Sequence, residues 1–202
     1  MKTTGKFIIT LSIMMFICGI SYAGNLVRPE SENYVNGVTA LNNGDIETAY
    51  TLLNAEIESN PENGYAHCYM SLICNACNDI VLAMKAANSS IELIPEADKE
   101  YRSFAYYTRS ILWGNLGKWE NAIKDITESI SLNPQDADSF KTRAEMYVNT
   151  KQYEEAIDDL NHALSIDKNT DVTELMMKLI ESVPTEELAA KVTNVMGLMS
   201  LK

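Results

Sequence analysis

Three of the four cysteines, Cys68, Cys74 and Cys77, crowd into one short stretch beside His67, one of only two histidines. A Cys74-x-x-Cys77 pair is the spacing of dithiol–disulfide exchange, and the same residues with His67 are a set that zinc would accept. Exchange needs a thiolate, which a helix N-terminus stabilises. Here the periodicity predicts that the pair ends a helix, where the dipole disfavours thiolate. Zinc fails on geometry: at roughly 100° per residue, Cys68 and Cys77 point to opposite sides of that helix. Two readings of Cys74 and Cys77 stay open, small buried hydrophobes or an exchangeable disulfide. No metal site is expected.

The other reactive types are sparse. His67 falls on a packing position, and His162 has no cysteine near it in sequence. Met176, Met177, Met196 and Met199 have soft sulfurs, yet their helical spacing reads as gap-filling core. Glu154, Glu155, Asp158 and Asp159 predict a solvated acidic helix surface, and Asn88-Ser89-Ser90 is a glycosylation sequon. There is no Gly-rich phosphate loop, nucleophile elbow or HExxH. The expectation is a chain with no catalytic residues and no cofactor.

Composition narrows the partners. The chain has 202 residues, 16 basic against 28 acidic, for a net charge of −12, and 46% are hydrophobic. That apolar content excludes a disordered chain. The acidity argues against nucleic acid and against an anionic membrane surface, both of which select lysine and arginine.

Residues 1–23 read as a targeting segment outside the fold. Lys2 and Lys6 precede an uncharged apolar run from Phe7 to Ile20, and Ser21-Tyr22-Ala23 places small residues at −3 and −1 of a cut before Gly24. The run is too short to span a bilayer, which takes about 20 apolar residues. The expectation is export to a periplasmic or secreted location, with cleavage after Ala23 and no stable membrane span afterwards. Cleavage also removes two lysines and no acid, so the mature chain is still more acidic.

What must position the remaining residues is a repeat. Pro61 and Pro95 lie 34 apart, and each closes a similar stretch: Ile57–Pro61, Ile91–Pro95, then Ile130–Pro134, with Leu164–Lys168 as a fourth copy. Ala49, Ala83, Ala122 and Ala156 recur in step. A turn signal splits each unit into two apolar-periodic runs, at Asn43-Gly44-Asp45, Asn78-Asp79, Leu116-Gly117-Lys118 and Thr150-Lys151-Gln152. Paired amphipathic helices, repeated four times, follow from this pattern.

These residues resemble the tetratricopeptide repeat (TPR) family. Phe140, Ala144, Tyr147, Ala156, Leu160 and Ala163 match its large, small and aromatic positions in the fourth unit. Tyr106, Ser110, Trp113, Ala122, Ile126, Ser129 and Pro134 match in the third. The first unit keeps Gly37, Ala49, Leu53 and Pro61 but departs at Ala40 and Glu56; the second keeps Ser71, Ala83, Ser90 and Pro95 but departs at His67 and Cys74. The resemblance implies an all-α, right-handed α-solenoid, with units at about 30–63, 64–95, 103–136 and 137–168 in an array spanning 24–168. Residues 169–202 should form C-terminal capping helices, with Asp171 and Thr185 as N-caps.

In that family the concave face is lined by the first helix of each pair. The resemblance therefore assigns the groove to Tyr34, Val38, Tyr65, Tyr69, Leu72, Phe104, Tyr107, Thr108, Ile111, Asn115 and Lys141. The basic set with which some members clamp a chaperone's C-terminal carboxylate is missing, since only Lys141 is basic there. The implied function is a non-catalytic protein-interaction scaffold whose groove takes an apolar or basic peptide segment. The alternatives are a redox accessory using Cys74 and Cys77, or an array that builds a homo-oligomer.

Overall fold

Short polar turns cut the chain into helices by a device that recurs from unit to unit. The structure is a computed structural model describing residues 26–200; the expected signal segment 1–23 lies outside them. The helices are α1 (Glu32–Asn42), α2 (Ile46–Ser59), α3 (Gly64–Ala76), α4 (Ile80–Leu93), α5 (Lys99–Asn115), α6 (Trp119–Leu132), α7 (Ala137–Asn149), α8 (Tyr153–Ile166), α9 (Thr173–Ser182) and α10 (Glu186–Ser200). No strand occurs among the described residues. Side chains of Asp45, Asn63, Asp79 and Asp98 each accept the backbone N–H three residues on, starting α2, α3, α4 and α5. Within each of the first four pairs, the turn passes through one left-handed residue: Gly44 (φ 78°), Asn78 (62°), Gly117 (68°) and Lys151 (64°). That conformation is free for glycine and costly for lysine, and it reverses the chain so that the second helix folds back on the first.

The pairs are α1–α2, α3–α4, α5–α6 and α7–α8, each packed most heavily within itself and then onto the next. Ala49, Ala83, Ala122 and Ala156 are all completely buried, as the close approach of paired helices demands. Gly64 makes another close approach. A Cβ there would lie 2.8 Å from the Ile94 backbone nitrogen and 2.9 Å from Leu93 Cβ, so the start of α3 rests directly on the end of α4.

The core forms one apolar cluster through α1–α5, one through α5–α8 and one through α7–α10. The last is closed by Leu175, Met176 and Leu179 of α9 and Val192 and Val195 of α10. Thr185 Oγ1 accepts from the Leu188 N–H at 3.2 Å and so caps α10. Asp171 accepts from the Thr173 N–H at 3.0 Å, and Val172 occupies the position just before α9. One boundary differs from the repeat spacing. α5 starts at Lys99, ahead of the expected 103, because Asp98 caps it there and extends it.

Candidate functional site

The first helices of successive pairs lie side by side and are stitched by side chains. A relay of edge-to-face and tilted rings runs from Tyr34 on α1 to Tyr65 (6.5 Å between centroids) and Tyr69 (6.2 Å) on α3. It continues to Tyr101 on α5, 4.8 Å from Tyr65, and to Phe104, 5.9 Å from Tyr69. Each such contact adds roughly 0.5–1.5 kcal/mol beyond area burial. Further along, Asn115 Nδ2 of α5 donates to Asn75 Oδ1 of α3 at 3.0 Å, and the Thr142 hydroxyl of α7 lies 3.4 Å from the Tyr107 hydroxyl of α5.

The residues assigned to the groove separate along this face. Tyr34, Tyr65, Tyr69, Thr108 and Ile111 are buried, and Val38, Leu72, Phe104, Tyr107 and Lys141 are half-buried. Asn115 is exposed. The three buried tyrosines are thus packing surfaces first. Burial, reinforced by neighbouring tyrosines, pushes the Tyr34 and Tyr69 hydroxyls far above the ordinary value. Burial pushes Tyr65 up as well, helped by Asp98, and lifts Tyr107 to about 12. All four remain neutral hydrogen-bonding groups at physiological pH.

Two groups outside the repeat pattern close the N-terminal part of this face. Arg28 crosses to α5, where its Nε and Nη2 grip Asp98 Oδ2 and Oδ1 at 2.9 and 3.1 Å. Nη2 also reaches Glu100, and the guanidinium carbon sits 4.6 Å from the Tyr101 ring centroid. The Asp98 carboxylate additionally accepts from the Tyr65 hydroxyl (3.1 Å) and the Tyr101 N–H (3.3 Å), so each oxygen has two donors. Burial works against the Arg28 charge, but the bonds to Asp98 and Glu100 outweigh it and hold the guanidinium protonated. Three residues on, Ser31 Oγ donates to Glu56 Oε2 at 2.6 Å, while Asn63 Nδ2 donates to Oε1 at 2.8 Å. Glu56, which departs from the small residue of the repeat pattern, is therefore the buried anchor of this segment.

The later pairs use a different device. Arg109 makes a two-pronged bond to Asp125 at 2.7 and 2.9 Å, and Arg143 repeats it on Asp159 at 2.7 and 2.8 Å. These bonds raise the pKa of both arginines against the opposing effect of burial. Asp159 is only 6% exposed, so it is no part of the solvated acidic surface expected over residues 154–159. Glu154, in contrast, is exposed and pairs with Lys191 of α10 at 2.8 Å. The two clamps recur with the repeat period, a signal present in the sequence that hydrophobic patterning alone passes over. Arg28, Asp98 and Tyr101 gave no such signal, because Arg28 precedes the first repeat.

The remaining sulfur and imidazole groups are dispersed. Cys68 is fully buried and Cys74 nearly so, while Cys77 is exposed just past α3; all three are free thiols. Burial pushes Cys68 up to about 12 and, with Asp79 and Cys77, Cys74 up to about 11, away from the range of an exchange nucleophile. His67 Nε2 sits 2.9 Å from the Pro61 carbonyl oxygen, and His162 packs against Phe140. Met176 is buried and Met177 exposed. Among the described residues, no group of three or more His, Cys, Asp or Glu is placed to hold a metal ion, and no helix is long and apolar enough to cross a membrane.

A family model described as a tetratricopeptide repeat matches residues 142–170. No curated protein matches the chain in sequence. Among solved structures, MamA (residues 41 to the end) from Desulfovibrio magneticus RS-1 is similar at a TM-score of 0.66 and 16% identity, covering 86% of this chain and 99% of that one. PilF of Pseudomonas aeruginosa is similar at 0.67 and 15%, covering 84% and 74%. A tetratricopeptide repeat protein from Parabacteroides merdae aligns at 0.58 and 18%, covering 83% and 73%. One tetratricopeptide repeat is thus matched on the fourth pair, and the fold along most of the chain is similar to that of these helical-repeat structures.

Proposed function

We propose that the chain is an exported, non-catalytic scaffold that docks an apolar or basic segment of another protein along its first-helix face. The observation that carries this reading is the half-buried row of Val38, Leu72, Phe104 and Tyr107, which continues a packed aromatic relay toward solvent. Carboxylates stand near its Tyr107 end, where Asp138 and Glu145 of α7 act electrostatically on the Tyr107 hydroxyl. An apolar strip beside negative charge complements an apolar or basic ligand and repels nucleic acid. The export part rests on the pattern of residues 1–23, and N-terminal sequencing of the mature protein should start at Gly24; an intact Met1 would overturn it.

The docking part is tested by affinity capture with the wild type and a Leu72→Ala/Tyr107→Ala variant of matched melting behaviour. Loss of specific partners in the variant is expected, and identical partner sets would remove the face from consideration. On this reading the thiols do no chemistry. Native alkylation should label Cys77 and spare Cys68 and Cys74, and a Cys74–Cys77 bond in the isolated protein would count against it.

A further inference from the structure

The Arg28 contact has the composition of a ligand site that the chain fills with its own side chain. Its floor is the Asp98 carboxylate, 2% exposed, whereas the Arg28 side chain above it is 35% exposed. Its wall is the Tyr101 ring, and its rim is Glu100. The occupant comes from outside the repeats, 70 residues away in sequence, on a segment whose preceding residue, Val27, is 88% exposed. The receptor side is therefore built on the capped start of α5, and the occupant side is a short strap.

The physics favours replacement of Arg28 over simple opening. A carboxylate this deep is costly to leave without a counter-charge, even with Tyr65 and the Tyr101 N–H donating to it. A second guanidinium restores the same two-pronged bond and the same stacking on Tyr101. A lysine ammonium supplies charge without the planar fork. The relay also leads outward from this pocket: Tyr101 touches Tyr69, which touches Phe104, whose ring is half-exposed. An incoming segment with an arginine followed by apolar residues thus gains contacts that the strap leaves unused.

We infer that Asp98, Glu100, Tyr65 and Tyr101 form a guanidinium-recognition pocket at the head of α5, that Arg28 occupies it in the free chain, and that an arginine-bearing segment of a partner protein displaces it. This rests on the docking reading above and names the anchor residue of the ligand. The strap acts as a tethered competitor, and a short tether presents Arg28 at an effective concentration in roughly the millimolar range.

The test uses an acetylated peptide of residues 26–31, with versions carrying lysine or alanine in place of the arginine, titrated into the purified chain by calorimetry. Removing the competitor with Arg28→Ala should tighten binding of the arginine peptide about tenfold or more over wild type. The lysine peptide should bind more weakly and the alanine peptide not at all. Should Arg28→Ala fail to fold, Arg28→Lys keeps the charge but loses the fork, and it too should bind the arginine peptide more tightly than wild type. Equal binding to wild type and to the folded variant overturns the pocket, as does equal binding of the arginine and alanine peptides. Concentration-dependent dimers that vanish in the variant would assign the pocket to a second copy's strap and overturn the foreign ligand. Capture that depends on Leu72 and Tyr107 alongside a silent peptide titration would overturn this pocket while leaving the docking reading in place.

Discussion

The first two helix pairs and the next two solve the same packing problem with different chemistry. In α5–α6 and α7–α8, an arginine on the first helix grips an aspartate on the second, 16 residues away, so each pair carries its own polar clamp. At the equivalent places α3–α4 has Met70 and Ala86, both buried, and α1–α2 has Asn36 and Leu52. The earlier pairs draw their polar ties from further off: Ser31 and Asn63 converge on Glu56, and Arg28 reaches Asp98 on α5. The stacked tyrosines Tyr34, Tyr65, Tyr69 and Tyr101 supply the rest. A repeat scaffold is thus held by nearest-neighbour packing of small and apolar residues, and the polar device is interchangeable between units. The head of α5 is where the two devices meet, since that helix carries its own clamp through Arg109 and also receives Arg28 of the strap.

The largest expected effect comes from breaking a clamp on one side only. Asp159→Ala strands the Arg143 guanidinium in a mostly buried setting and should lower stability by about 3 kcal/mol, measured by urea unfolding. Replacing both partners to copy the α3–α4 pair, Arg143→Met with Asp159→Ala, should return stability to within about 1 kcal/mol of wild type. If the double variant is as damaged as the single one, the two devices are not interchangeable and the contrast between the regions fails.

Next in size is Gly64→Ala, which probes the packing that both regions share. The new methyl would meet the Ile94 backbone nitrogen at 2.8 Å, and backbone retreats less readily than a side chain. A loss of about 2 kcal/mol is expected, at the middle of the range for overpacking. A neutral result would mean that the α3–α4 contact can open without disturbing the array.

Most of the scaffold was legible in the sequence because it depends on residue size at a fixed period. Ala49, Ala83, Ala122 and Ala156 announce close helix crossings, and Gly44 and Gly117 announce the turns; their structural roles follow from size and conformational freedom alone. The candidate face was legible only in part. The family resemblance assigned Tyr34, Tyr65, Tyr69 and Phe104 to one face, but it could not tell a ring that packs on its neighbour from one that waits for a ligand. That distinction depends on what else covers the rings, here Tyr101 and the strap with Arg28. A strap lying outside the repeats has no period to betray it. Asp159 shows the converse: its sequence neighbours are acidic and solvated, while its partner Arg143 lies on another helix of the pair.

A smaller effect separates the turns. Lys151 adopts the left-handed conformation that glycine takes in the turns at Gly44 and Gly117. Lys151→Gly should relieve that strain at some cost in chain entropy, for a net gain of about 0.5 kcal/mol in thermal unfolding. A loss would show that the lysine side chain makes a compensating contact on the exposed turn between α7 and α8.

The smallest effect concerns charge on the clamped side of the face. Burial raises the pKa of Glu145 on α7, and Glu174 adds to the rise while Lys178, 3.9 Å away, and Lys141 oppose it. The folded chain therefore holds this proton more tightly than the unfolded chain, whose glutamates titrate near 4.3. The stabilising contribution of protonated Glu145 is fully present below that unfolded value and is lost as pH rises through the higher folded value. Glu145→Gln removes the titration, so its stability relative to wild type should improve between pH 4 and pH 7. With the side chain 32% exposed and partly screened, the gain should be roughly 0.5 kcal/mol or less. Thermal unfolding of both proteins across that range measures it. A variant that instead loses ground toward pH 7 would show that the Lys178 pairing dominates, making this face of α7 a third charged tie in the region that already carries two.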